Sequence, residues 1–150
     1  MRISITGKQH KVDHQLIRKA LQWYARDLIP DLTTQIKIEL HIINNLIRDA
    51  EMDAAVTWIA DPVKPRKFEM HLDSRLSVKR CLEILAHEMV HVKQFARGEL
   101  VDNPSGKTAK WQGKRVTIRD DDGYWTQPWE IEAYGRQPGL YTRFRRDTGV

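Results

Sequence analysis

The chain has 150 residues, a formal charge of +5 and a single cysteine, a length that suits one domain, residues 1–150, able to bury a core without disulfides. Cys81 alone excludes an internal disulfide and every multi-cysteine metal framework, so any metal would be held by histidine and carboxylate. The opening "MRISITGKQHKVDH" lacks the apolar centre of a signal peptide, and no run approaches the roughly 20 apolar residues of a membrane span, which predicts a cytoplasmic monomer with no membrane partner.

From residue 12 to 29, Leu16, Ile17, Ala20, Leu21, Tyr24 and Leu28 recur at helical spacing, and Pro30 follows as a stop. "QIKIELHII" then alternates strictly, with Ile36, Ile38, Leu40 and Ile42 on one face and Lys37, Glu39 and His41 on the other. Two further strand-like runs, 54–60 and 67–73, flank a proline-rich turn. The three runs predict a small three-stranded sheet. A second helix is expected from residue 78 to 97, capped by Ser74 or Ser77 and ended by Gly98. Residues 99–127 read as a polar surface excursion, with "WQGKRVTI" as a short hairpin and "DDDG" as a turn. Pro128 suits the first position of a last helix, which "QPG" at 137–139 is expected to interrupt.

The middle of the second helix reads "LAHEMVHVKQ" and holds His87, Glu88 and His91. Residues four apart share a helical face, so both imidazoles can reach one ion about 2.0 to 2.1 Å away. Glu88, beside them, suits a general base that holds a water at the ion. Leu82, Leu85, Met89 and Val92 occupy the opposite face and anchor the helix in the core.

Two histidines leave a third ligand to be found. His10, His14, His41 and His71 all precede the motif, and the usual alternative is a carboxylate from a following helix. Glu99 and Asp102 follow the helix too closely to fold back, and Asp120, Asp121 and Asp122 read as a solvated turn. "PWEIEAY" instead sets Glu130 and Glu132 among apolar neighbours in a first helical turn. Being two apart, only one of them can face the ion, and either remains open on these grounds.

"HEMVH" and "EIEAY" together resemble the gluzincin metallopeptidases, in which a downstream Glu-x-x-Ala motif supplies the third ligand through its first Glu. The resemblance implies Glu130 as that ligand and Ala133 as the small residue that lets two helices approach. More widely, the strands, the long "LEILAHEMVHVKQ" helix and the size resemble the SprT-like group of small zinc peptidases of bacteria and bacteriophages. The likeness covers mainly residues 67–97 and 125–136. It departs from the SprT-like pattern in having no downstream histidine, and from membrane gluzincins in carrying Tyr134 where Asp is common.

The implied protein is a zincin-like α+β zinc peptidase, with one Zn2+ on His87, His91 and Glu130, and Glu88 as base. Tyr134, one turn beyond Glu130, would donate to an oxyanion or a ligand, or simply pack. The resemblance also gives 67–73 the role of an edge strand bordering the cleft, where an extended protein or peptide substrate pairs and His71 would touch it or serve as an ordinary strand residue. Two other readings compete: a zinc-containing DNA- or protein-binding module, favoured by the basic charge, and a hydrolase of peptidoglycan peptides. Lys107, Lys110, Lys114 and Arg115, with Arg143, Arg145 and Arg146, would carry a DNA surface, or else form a solvated face. Trp111, Trp125 and Trp129 would line a pocket or pin the excursion to the core. Cys81 reads as a buried helix residue.

Overall fold

The computed structural model describes residues 1–119 and 122–150. Asp120 and Asp121, and the side chain of Asp122, lie outside the described residues. In chain order the elements are β1 (Arg2–Thr6), α1 (His14–Leu28), β2 (Lys37–Ile43), α2 (Leu46–Ala50), β3 (Ala54–Ile59), β4 (Lys67–Asp73), α3 (Val78–Ala96), β5 (Leu100–Asp102), β6 (Thr108–Trp111), β7 (Lys114–Thr117), a 3-10 helix (Asp122–Thr126) and α4 (Pro128–Thr148). The class is α+β, as the sequence predicts.

The main sheet has four strands rather than three, in the order β1-β2-β4-β3. The added strand is "RISIT", which pairs parallel to β2 with Ile3 opposite Ile38 and Ile5 opposite Leu40. Its two isoleucines extend the apolar face of β2, and Ile3 is buried in the same core. This overturns the expectation for 67–73. β4 lies inside the sheet, parallel to β2 on one side and antiparallel to β3 on the other. Its backbone groups are therefore taken up by both neighbours, and the sheet edge on this side belongs to β3.

One face of the sheet is apolar. Ile38, Leu40, Phe68, Met70 and Leu72 are almost fully buried and join one core with α1, α3 and α4. Asp13 caps α1 by accepting from the Leu16 N–H at 2.7 Å, and Tyr24 ties that helix to α3 by donating to the Leu82 carbonyl at 3.0 Å. Of the two serines considered as caps for α3, Ser77 accepts from the Arg80 N–H. Ser74 is buried and donates its hydroxyl to Asn44 instead.

The excursion is more ordered than a surface loop. β5, β6 and β7 form an antiparallel meander, and Gln112 and Gly113 both have positive φ, 49° and 80°, which matches the two-residue hairpin turn whose twist suits adjacent strands. α4 is also longer than expected, running through Pro138 without a break. Proline removes one helical hydrogen bond, but Pro138 and Gly139 are on the exposed side while Gln137, Leu140 and Phe144 are buried on the other. Phe144 packs against Trp23 and Tyr24 with ring centroids 5.9 and 5.4 Å apart, so burial on either side of the proline holds the helix together.

Candidate metal centre

α3 is buried on nearly all sides, because it lies between the core and α4. His87, Glu88 and His91 are consequently all buried, at 3, 4 and 8% exposure, although they line a cleft of about 530 Å³. The other wall of the cleft is the segment 50–56 leading into β3, and its rim includes Tyr124, Trp125 and Tyr134. Arg80 pairs with Asp53 across one end.

The opening turn of α4 brings Glu130 to the two histidines. His87 Nε2 lies 3.1 Å from His91 Nε2, 3.3 Å from Glu130 Oε2, and His91 Nε2 lies 3.4 Å from Glu130 Oε1. Bonds of 2.0–2.1 Å to a tetrahedral ion imply ligand atoms about 3.3–3.4 Å apart. The three ligand atoms thus already stand close to three corners of such a tetrahedron. They form a buried group that could hold a metal ion, and two imidazoles with one carboxylate suit a borderline divalent ion. Ala133, fully buried on the same helix, leaves α4 room to approach α3.

Glu132 points elsewhere. Its carboxylate accepts from Lys93 Nζ at 2.6 Å, from Gln94 at 3.0 Å and from Arg136 at 2.8 Å. Lys93 also pairs with Glu99 at 2.7 Å, so both of these acidic candidates are committed to one lysine. Asp102 accepts from the Trp58 indole at 3.1 Å, far from the cleft residues in role.

Two residues that the sequence reading passed over complete the surroundings. Gln94 binds His91 Nδ1 through Oε1 at 2.8 Å and donates its amide to the Trp129 carbonyl at 2.9 Å. A histidine whose second nitrogen is held this way presents the first in a fixed direction. The signal was available, since Gln94 follows His91 by three residues on one helical face. Tyr124, in the 3-10 helix, donates its hydroxyl to Glu130 Oε2 at 3.0 Å and lies 3.4 Å from the Tyr134 hydroxyl. Nothing in the local sequence distinguishes Tyr124 from a loop tyrosine. Tyr134 stacks edgewise on His87 at 4.4 Å between centroids, so it both packs on a candidate ligand and borders the cleft.

Charge follows the geometry. Burial raises the Glu88 carboxyl above the usual range, and the Glu130 charge adds to this while His91, His87 and the Val56 backbone oppose it. For Glu130 burial acts in the same direction, but hydrogen bonds from His87 and His91 outweigh it and hold the group at about 2. His91, despite burial, is pushed up to about 9 by Glu130 and Glu88. Without an ion, the two nearby carboxylates therefore have opposite tendencies, Glu130 toward its charged form and Glu88 toward its protonated form.

The remaining sequence candidates are dispersed. His71 is on the opposite sheet face, bound to Glu69 at 2.9 Å. Trp129 is buried and lies 6.3 Å from Trp111, pinning the meander, whereas Trp125 is 65% exposed at the cleft rim. Cys81 is buried. Arg143 pairs with Asp27 and covers the Trp23 ring, Arg146 pairs with Asp147, and Arg145 binds the Val150 carbonyl. Among the described residues no helix is long and apolar enough to cross a membrane.

Comparisons with protein-family models, curated proteins and solved structures give no match for this chain. The functional reading therefore rests on the residues of the cleft.

Proposed function

We propose that the chain is a zinc-dependent metallopeptidase of the gluzincin type, related to the SprT-like group, with His87, His91 and Glu130 as zinc ligands. The observation that carries this reading is Glu88. A purely structural site has no use for a second buried carboxylate beside its ligands that lines an open cleft.

When bound, the ion would supply Lewis acidity and make an adjacent water acidic enough to ionise near neutral pH. Glu88 takes the proton of the attacking water and returns it to the leaving amine nitrogen, a single carboxylate serving as base and then acid. Gln94 keeps His91 in the ligating orientation, and Tyr124 does the same for Glu130. Tyr134 is the hydroxyl proposed to donate to the carbonyl oxygen as charge develops there.

The edge of β3 supports an extended substrate. Residues 54–56 line the cleft opposite Glu88 and His87, and β3 pairs with β4 on one side only. A peptide added antiparallel or parallel to that edge would gain backbone hydrogen bonds without demanding particular side chains. The role expected for 67–73 thus passes to 54–59.

Elemental analysis of the purified wild type and Glu88→Gln, with turnover of unfolded protein and of peptidoglycan peptides, tests the proposal. One zinc per chain in both, with cleavage by the wild type alone, is the expected result. A DNA- or protein-binding function that survives Glu88→Gln undiminished, with no cleavage by either chain, would overturn it.

A further inference from the structure

The sheet face turned away from the core carries a second cluster of ligand-type side chains. β2 and β4 are parallel and in register, so Glu39 lies opposite Glu69 and His41 opposite His71. The two-residue period puts all four on one side. Ligand atoms of Glu39, His41 and Glu69 lie within 4.8 Å of one another, and all three side chains are half-buried.

Carboxylates directly opposed on neighbouring strands repel each other. Lys67 reaches Glu39 at 2.8 Å and His71 Nε2 reaches Glu69 at 2.9 Å, which offsets part of that repulsion from the outside. His41 is held from behind, its Nδ1 at 2.8 Å from the Thr6 hydroxyl on β1. That bond leaves Nε2 as the nitrogen a cation would take. The same arrangement occurs at the first centre, where Gln94 holds His91 Nδ1 and Nε2 faces Glu130. Lys67 and His71 each engage Oε1 of their glutamate, and the imidazole of His41, oriented by Thr6, belongs to the same cluster as both carboxylates.

We propose that Glu39, His41 and Glu69 form a second divalent-cation site, with His71 positioning Glu69. One imidazole and two carboxylates suit Zn2+ and its neighbours Co2+, Ni2+ and Mn2+. The ligand atoms of this cluster, like those of the first centre, lie within 4.8 Å of one another. Its half-buried side chains are less firmly held than the buried ligands of the first centre, which makes it the weaker of the two. A bound cation would neutralise the Glu39–Glu69 pair and tie β2 to β4, the strand that leads into α3.

The site is independent of the peptidase reading and is tested separately. Zn2+ is titrated calorimetrically into the metal-free wild type, His41→Gln, Glu69→Gln and His91→Gln, with circular dichroism as the check on folding. The wild type should take up two equivalents, the sheet variants only the tighter one, and His91→Gln only the weaker one. Ring resonances of His41 should shift in the wild type during the second equivalent, a readout that needs no variant. A second equivalent that persists in both sheet variants, or no second equivalent and an unmoved His41 signal, overturns the proposal. An equivalent lost in His41→Gln from a chain that binds nothing at His91 would leave this site standing and remove the peptidase.

Discussion

Glu130 and Glu132 stand two residues apart at the start of α4 and meet different partners. Glu130 lies 3.3 and 3.4 Å from the two imidazoles, while Glu132 accepts from Lys93 and Gln94. The roughly 200° between them on a helix separates a candidate ligand from a structural ion pair. Glu130→Ala should abolish stoichiometric zinc in the purified chain. Glu132→Ala should retain it and lose about 1–3 kcal/mol of stability, because Lys93 is largely buried and would keep only Glu99. Elemental analysis and urea unfolding of the pair check this, and zinc lost from Glu132→Ala but kept by Glu130→Ala would reverse the assignment.

Glu88→Gln preserves volume and removes the proton acceptor. The rate of peptide cleavage should fall by about 10²–10⁴-fold, with zinc content and unfolding midpoint close to wild type. A variant that retains more than about a tenth of the rate would mean that another group handles the proton.

Tyr124→Phe deletes the hydroxyl that donates to Glu130 Oε2 at 3.0 Å. Loss of a partner behind a ligand weakens metal binding by about 10–100-fold. Competition with a chelator of known affinity measures this directly. Unchanged zinc affinity would assign Tyr124 to the rim of the cleft alone.

Alkaline pH should destabilise the fold through Cys81 and Tyr24. Burial pushes the Cys81 thiol from 9.0 up to about 12, and raises Tyr24 above 10.0 as well. Both groups keep their protons in the folded chain over a range where the unfolded chain has lost them. The folded state then binds more protons, so unfolding free energy falls as pH rises, by up to about 1.4 kcal/mol per pH unit for each group. The contribution is fully present below about pH 9. Urea unfolding from about pH 8 to pH 10.5 follows the slope, and Cys81→Ala should make it shallower. Equal slopes for the two chains would show that the thiol does not contribute.

The amino-acid sequence by itself determined most of the local elements and most of the candidate ligand set. Strict alternation in "QIKIELHII" specified a half-buried strand, and the 3.6-residue period around His87 and His91 specified a helix with one chemical and one apolar face. Residue spacing narrowed the third ligand to Glu130 or Glu132, and resemblance favoured the one that the fold brings to the histidines. Tertiary structure decided what depends on distant partners. "RISIT" has too few residues to declare itself a strand until β2 offers an edge, and Pro138 interrupts a helix in isolation but not one whose Leu140 and Phe144 are buried beyond it. β3 took the edge from 67–73 because β4 is hydrogen-bonded on both sides. Tyr124 reaches Glu130, and Glu39 meets Glu69, only once chain segments with no shared local period are folded together. Periodicity encodes which face of an element is buried, while the identity of the neighbour across that face is a property of the whole fold.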